Sequence, residues 1–341
     1  MERGLTNGLV SVVIVSWNSA RFLRRCLAAL AEQRHRDIEV IHVDNASVDD
    51  SVAIVREAAP QARQIINDTN RGFSAAVNQG VRVAGGEFVL LLNPDAFLDA
   101  EYMSKIVDAF AKSGQTFGMA TGKLLQPETG LVDSKGIRMT RSGRHFDIGQ
   151  GSRDDDENVG RTLSPTSRAV GLESPTCVNL REVFGVSGAA AMYRMSFIHD
   201  VTVGGEFLDE DFFTFREDAD VAWRGQLFGW RAMYVPDAVG DHVRTVTPEK
   251  RRALSAVTNM HGLKNRFLLR LKNEGIYLAL RNAPFELARD LVAIAATLTV
   301  ERSSLPALTW LWKNRRRIME KRRAIQSRRR VSDRQLAGWF R

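Results

Sequence analysis

An α/β fold built on a mostly parallel sheet is predicted by three features of the sequence. The run Phe88-Val89-Leu90-Leu91-Leu92 is apolar throughout and too short to cross a membrane. Its length and branching suit a strand buried on both faces. Strand-like and helix-like stretches alternate from Leu9 to Phe88, as in right-handed βαβ units. Three apolar segments stop abruptly in polar turns, at Ser16-Trp17-Asn18, Asp44-Asn45 and Asn93-Pro94-Asp95. These turns fall at the carboxyl rim of the sheet, where open α/β sheets bind ligands.

The elements follow in order. Leu9 to Ser16 is rich in Val and Ile and reads as the first strand. Ser19 is placed to cap a helix over Ala20 to Gln33, with Phe22, Leu23, Leu27 and Leu30 on one face. A strand over Ile38 to Val43 leads into Asp44-Asn45-Ala46-Ser47, then a helix over Asp50 to Ala59 and a short strand near Ile65-Ile66. Asn70-Arg71-Gly72-Phe73 is a turn into a small-residue helix that contains Asn78. The strand at Phe88 follows and must end at Pro94, which has no N–H for a ladder. Asp95 then either serves a ligand at the rim or caps a helix over Ala96 to Lys112.

Leu124 to Thr176 breaks the rhythm with scattered glycines, the acidic run Asp154 to Glu157, and Pro165 and Pro175. It reads as an irregular, partly mobile insertion on the substrate side. Regular structure resumes over Val183 to Arg194, in a helix over Asp218 to Phe228, and in a strand over Ala232 to Val235 with an exit loop from Pro236 to His242. The chain beyond Pro248 is predicted helical, broken near Pro284 and Pro306. This divides it into an α/β region, 1–247, and a helical, basic region, 248–341.

A chain of 341 residues, 44% apolar, can bury a large core. Cys26 and Cys177 show no metal spacing and read as reduced thiols of a cytosolic protein. No leader pattern opens the chain, and the apolar stretch Leu291 to Val300 is too short to span a bilayer. The net charge of +8 is concentrated in Lys313, Arg315, Arg316, Arg317, Lys321, Arg322, Arg323, Arg328, Arg329 and Arg330. Such a cluster suits an anionic membrane or nucleic acid, or is simply a solvated helix face.

Several side chains are suited to chemistry at the rim. Asp44 can accept the imide N–H of a uracil or thymine, and Asn45 can bond a ribose or base carbonyl. The competing reading of both is an Asx-turn. Gly72 permits close backbone approach to a ligand, and Arg71 can meet a diphosphate. The run Phe212-Phe213-Thr214-Phe215-Arg216-Glu217-Asp218-Ala219-Asp220 sets acids beside aromatics, as a general base beside a sugar requires. Helix capping by Asp218 and core packing of the phenylalanines compete with that reading. His242 can join Asp95 on one divalent ion, with Asp241 beside it either supporting a ligand or taking its place.

Val12-Val13-Ile14-Val15-Ser16-Trp17-Asn18, Val43-Asp44-Asn45-Ala46-Ser47-Val48-Asp49, Asn70-Arg71-Gly72-Phe73 with Asn78, Leu92-Asn93-Pro94-Asp95-Ala96, Glu217-Asp218-Ala219-Asp220 and His242 occur in that order. The ordered set resembles the family 2 inverting glycosyltransferases of GT-A (Rossmann-like) fold, in their rhamnosyltransferase-like branch, over about residues 9–245. The resemblance implies that Asp44, near Ser16 and Asn18, holds the nucleotide base. It makes Asp95 the last acid of the Asp-X-Asp metal motif, with Asn93 in place of the first. It makes Asp218 the catalytic base with Glu217 beside it, and His242 a contact to metal and diphosphate. Asn45, Arg71, Gly72 and Asn78 complete the nucleotide-sugar site.

The implied cofactor is Mg²⁺ or Mn²⁺. The implied donor is dTDP-rhamnose or a UDP-sugar, and the acceptor a glycan or lipid-linked hydroxyl in cell-envelope polysaccharide synthesis. Two other readings are a sugar-phosphate nucleotidyltransferase, against which the absent Gly-rich phosphate loop counts, and a non-catalytic protein that binds anions or nucleic acid. Gly262 to Phe285 and Leu287 to Trp312 mix apolar residues with Lys264, Arg266, Arg270 and Lys272. They read as helices lying at the inner face of the plasma membrane, or packed on the catalytic region or on a second subunit.

Overall fold

The computed structural model describes residues 4–154, 159–162, 180–244 and 255–341. The chain runs through β1 (Thr6–Ser16), α1 (Ala20–Ala31), β2 (Ile38–Asp44), α2 (Ser51–Ala58), β3 (Arg63–Ile66), α3 (Phe73–Val83) and β4 (Gly86–Leu92). These four strands pair in parallel in the order β3-β2-β1-β4. Alternating side chains fill two cores. Val10, Val12, Ile14, Phe88, Leu90 and Leu92 pack with Leu23 and Leu27 of α1, and Val13, Val15, Val89 and Leu91 pack with Ala76 and Val77 of α3. Both faces are covered, which is why these strands read as unbroken apolar runs.

Next come β5 (Ala96–Leu98), α4 (Tyr102–Lys112), β6 (Phe117–Leu125), β7 (Val132–Ser134), β8 (Ile137–Met139), β9 (His145–Asp147), β10 (Arg161–Thr162), β11 (Arg181–Val183), β12 (Ala190–Arg194), α5 (Met195–Val201), α6 (Glu217–Leu227) and β13 (Arg231–His242). They extend the sheet to the order β10-β11-β13-β6-β12-β4-β1-β2-β3. Strand β12 is antiparallel to both β4 and β6, and β13 is parallel to β6. The carboxyl ends of β1, β2, β4, β6 and β13 therefore share one rim, in the mostly parallel sheet that the sequence predicts.

Helices α7 (Ala256–Asn273), α8 (Ile276–Thr299), α9 (Pro306–Lys313), α10 (Arg315–Ser327) and α11 (Asp333–Leu336) complete the chain. They do not form a separate unit. Leu268, Leu269, Leu278, Ile318, Ile325, Leu336 and Phe340 lie in the same core as β1, β4 and α6. The boundary expected near Thr247, together with Pro248, lies outside the described residues, as do Asp155 to Glu157, Pro165, Pro175 and Cys177.

Several expectations are corrected. Asp95 does not cap a helix, because β5 intervenes before α4. Ser19 makes no capping bond, and the first N–H of α1 is taken by Asp49 Oδ2 at 3.0 Å. The stretch after Leu124 is not irregular where described, since β7 extends the sheet and β8 pairs with β9 in a hairpin. The segment Pro236 to His242 is no exit loop but the second half of β13, with a register shift after Tyr234. Pro284 sits inside α8, and the helix break falls instead at Glu274-Gly275.

The basic residues are also placed differently. Lys264, Arg266, Arg270 and Lys272 are buried. Of the terminal cluster, Lys321 meets Glu206, Asp209 and Asp211 at 2.9, 2.6 and 3.0 Å. Arg317 pairs with Asp211, Arg328 and Arg330 with Asp200, and Arg329 with Asp333. Much of the cluster neutralises acids of this chain and is not left for an outside partner.

Candidate functional site

The rim is built outward from β1, β2 and β4. Parallel register sets Ser16 beside Asp44, and the Ser16 hydroxyl donates to Asp44 Oδ1 at 2.7 Å. The same carboxylate accepts from the Ser47 hydroxyl at 2.6 Å and the Ser47 N–H at 2.8 Å. The Asx-turn is therefore real, and Asp44 is only 1% exposed. Asn18 takes a positive φ of 52°. Its N–H donates to Ser47 Oγ and its Oδ1 accepts from Val48 N–H, both at 2.9 Å. The β1 and β2 turns are thus tied into one wall.

Asn45 extends the wall. Its amide donates to Gly72 O at 3.1 Å and accepts from Asn67 at 3.0 Å. Gly72 has φ 84°, and a Cβ there would lie 2.5 Å from the Phe213 ring and 2.7 Å from its carbonyl. The close approach that Gly72 permits is therefore to the Phe213 segment of this chain. Asn78 is likewise spent on the chain: its amide donates to Leu208 O and Glu210 Oε1 at 2.8 and 3.1 Å and accepts from Leu208 N–H at 2.9 Å. The Arg71 side chain remains exposed at the mouth.

The second wall centres on Asp95. Asp95 Oδ1 lies 3.4 Å from His242 Nε2, because β5 pairs with the end of β13 and sets His242 opposite Ala96. His242 Nδ1 hydrogen-bonds Asp133 Oδ2 at 2.7 Å. Asp133 also holds Arg244 at 2.7 Å, and Arg244 holds Asp147 at 2.6 Å. Burial opposes a charge on the imidazole, but the hydrogen bonds to Asp133 and Asp95 and their charges outweigh it and raise His242 to about 9. Asp133, Asp147 and Arg244 were not anticipated. Their signal was weak: single charged residues spread over short strands.

The third wall carries Asp218. Three residues before α6 have left-handed backbone, Phe213, Phe215 and Arg216, at φ 66°, 68° and 72°, a cost of order 1–3 kcal/mol each. Arg216, not Asp218, occupies the N-cap position. Asp218 accepts from Ala219 N–H at 2.7 Å and Gly188 N–H at 3.4 Å. Burial raises its pKa against these bonds and the nearby Arg216. Glu217 is buried with one carboxylate oxygen unpartnered. Burial, then the Asp218 charge, push it up to about 8, so it is largely neutral at pH 7.

The walls meet through β12. Asn93 N–H donates to Ala189 O at 2.9 Å, and Gly188, one residue earlier, reaches Asp218. The β4 rim and the Asp218 segment are thus adjacent. Of the aromatics there, Phe212 is core, Phe213 stacks on His261 with ring centres 4.6 Å apart, and Phe215 is 36% exposed. The left-handed segment is clamped by Asn265 of α7, whose amide donates to the carbonyls of Phe212, Thr214 and Phe215 at 2.9, 2.7 and 2.9 Å. Among the described residues no cluster of three or more metal-ligating side chains occurs. Asp95 and His242 would suit a Mg²⁺ or Mn²⁺ that displaces the Nε2 proton and takes its other ligands from phosphate oxygens and water. The bond from Nδ1 to Asp133 fixes the ring so that Nε2 faces Asp95.

Residues 11–126 match the family described as Glycosyl transferase family 2. An N-acetylglucosaminyl-diphospho-decaprenol L-rhamnosyltransferase of Mycobacterium tuberculosis is 27% identical over 248 residues, covering 67% of this chain and 74% of the relative. An uncharacterized glycosyltransferase of Nostoc is 35% identical over 107 residues, 30% of this chain and 33% of its own length. This chain thus spans about a third of that relative. The solved mannosyltransferase from Pyrobaculum calidifontis, in complex with GDP-Man and Mn²⁺, superposes with a TM-score of 0.51 at 18% identity, covering 94% of this chain and 85% of that one. Residues 11–126 are thus similar to a family 2 glycosyltransferase domain, and the chain has the GT-A fold of that solved neighbour.

Proposed function

We propose that the chain is an inverting glycosyltransferase. It moves a sugar, with rhamnose the first candidate, from a nucleoside-diphosphate sugar to a hydroxyl of a glycan or lipid-linked acceptor in cell-envelope polysaccharide synthesis. The observation that carries the proposal is the meeting of Asp95–His242 and Asp218 at one rim, joined through the β4–β12 pairing. The name of the mycobacterial relative supports a lipid-linked acceptor, and the complex of the solved neighbour supports a divalent ion.

In this reading the Asp218 carboxylate takes the proton of the acceptor hydroxyl. The oxygen attacks the anomeric carbon from the face opposite the diphosphate, the C–O bond to the diphosphate breaks, and the configuration inverts. One carboxylate suffices because the leaving group is an anion, unlike a glycoside hydrolase with its carboxyl pair. Burial raises the Asp218 carboxyl above its ordinary range, which makes the carboxylate a stronger base. Glu217, held neutral, leaves that role to Asp218. Asp95 and His242 would hold the divalent ion, which when bound neutralises charge on the departing diphosphate. Arg71 adds positive charge at the mouth. Asp44 has one acceptor position left on Oδ2 after its bonds to Ser16 and Ser47, enough for a pyrimidine imide N–H.

The test is release of nucleoside diphosphate from a panel of dTDP-rhamnose, UDP-sugars and GDP-mannose with Mn²⁺. Turnover of a dTDP- or UDP-sugar is expected. Preference for GDP-mannose would overturn the role of Asp44, and neither binding nor turnover of any donor would overturn the activity.

A further inference from the structure

Helix α8 is amphipathic in the opposite sense to an ordinary surface helix. Its inner side is polar. Asn282 is fully buried, Glu286 pairs with Arg270 at 2.9 Å, and Asp290 pairs with Arg266 and Arg270. Its outer side is apolar: Ile276, Leu280, Leu287, Leu291 and Leu298 are 75, 74, 62, 67 and 55% exposed. At 100° per residue these five fall within about 60° of arc, along a stripe about 33 Å long. Both carboxylates of the helix are turned inward, so the stripe carries no negative charge.

The chain that follows adds the complementary sign. Arg302, Lys313, Arg315 and Arg316 are exposed there, against the exposed carboxylates of Glu301 and Glu320. Trp312 is 69% exposed, with the Arg315 guanidinium 4.4 Å from its ring centre. An amphipathic aromatic paired with a cation is the usual anchor at a lipid headgroup layer. Among the described residues no single helix is long and apolar enough to cross a bilayer, and the segment after α8 turns away by 109°.

We propose that the outer face of α8 and the end of α9 form a docking surface for an anionic lipid bilayer, on which the protein lies without crossing it. Reverse polarity excludes water as the natural neighbour of α8, since the helix spends its charges inward and leaves its leucines outside. An anionic surface compensates the exposed cations, whereas a second copy of the chain brings an identical set. The surface stands on the exposed face alone and does not depend on which sugar is transferred. It corrects the sequence-based placement. Lys264, Arg266, Arg270 and Lys272 are buried pairs and not headgroup contacts, and the stripe begins at Ile276, before Leu291.

The experiment is co-sedimentation of the full chain with mixed phosphatidylglycerol–phosphatidylcholine vesicles and with pure phosphatidylcholine vesicles at low salt. The wild type is expected to pellet with the mixed vesicles and less with the neutral ones. L280E/L287E/L291E should lose partitioning by about tenfold or more while its thermal midpoint stays unchanged. R302E/R315E/R316E, which touches no packed residue of the stripe, should lose the preference for anionic lipid. Wild type left in the supernatant, or unaltered partitioning of both variants, would overturn the proposal. So would a stable wild-type dimer, seen by light scattering, that L280E/L287E/L291E converts to monomer without changing vesicle binding.

Discussion

The amino-terminal wall of the site and the segment that carries Asp218 are held in place by opposite means. Ser16 and Asp44 end buried parallel strands and Asp95 follows one, so their positions are set by those strands. The Phe213 to Arg216 segment, with left-handed backbone at Phe213, Phe215 and Arg216, belongs to no strand and is held from outside by Asn265, with Lys272 and Asn273 gripping Asp220 at 3.0 and 2.7 Å. The proposed donor wall is thus held by its own sheet, whereas Asp218, the proposed base, sits in a segment held by a helix dozens of residues downstream. The carboxy-terminal helices therefore pack against the proposed site on one face, while α8 turns its leucines away from it.

The contrast can be sharpened by substitution. Asp218→Asn keeps the shape of the base but not its proton acceptance. Donor turnover, followed as nucleoside diphosphate release, should fall about 10²–10⁴-fold, with nucleotide affinity unchanged. Normal turnover would transfer the role to Asp220 or Glu217. Asn265→Ala leaves every group that faces the substrate intact and removes the clamp. A displacement of about 1 Å at the base costs up to about 10²-fold in rate, so kcat should fall while KM for the donor holds. A change in KM alone would show that α7 serves the donor wall instead.

A smaller effect tests the electrostatics. Glu217 has a folded pKa of about 8, above its ordinary 4.5, so the native state binds its proton more tightly than the unfolded chain does. That contribution to stability is full below about pH 4.5 and is lost as pH rises toward about 8. Glu217→Gln keeps the shape without the ionisation. Its thermal midpoint should gain on the wild type between about pH 5 and pH 8 and then run parallel. Curves parallel over the whole range would mean that Glu217 is solvated.

What could be read beforehand follows the same division. Strand-end residues were legible because apolar runs and the polar turns that stop them are local signals. Asp95 and His242, read as ligands of one ion, lie 3.4 Å apart, although β13 continues where a loop was predicted. Asp133 was not legible. It sits on a three-residue strand within a stretch whose glycines suggest a loop, and it matters only because sheet pairing brings it to His242. Asn78 and Gly72 were read as ligand contacts, yet the structure spends Asn78 on Leu208 and sets Gly72 against Phe213. The basic helices misled because composition cannot distinguish an exposed cation from one buried on Asp209 or Asp220.

The account rests on the Asp44 wall and the Asp95–His242 wall forming one metal-dependent donor site. The most direct measurement is calorimetric titration of the full chain with UDP and with dTDP, with and without Mn²⁺, for wild type, Asp95→Ala and Asp218→Asn. The account predicts that Mn²⁺ strengthens binding to the wild type, that Asp95→Ala loses this gain, and that Asp218→Asn retains it. Equal binding in excess chelator, or an Asp95→Ala variant that still responds to Mn²⁺ like the wild type, would contradict it.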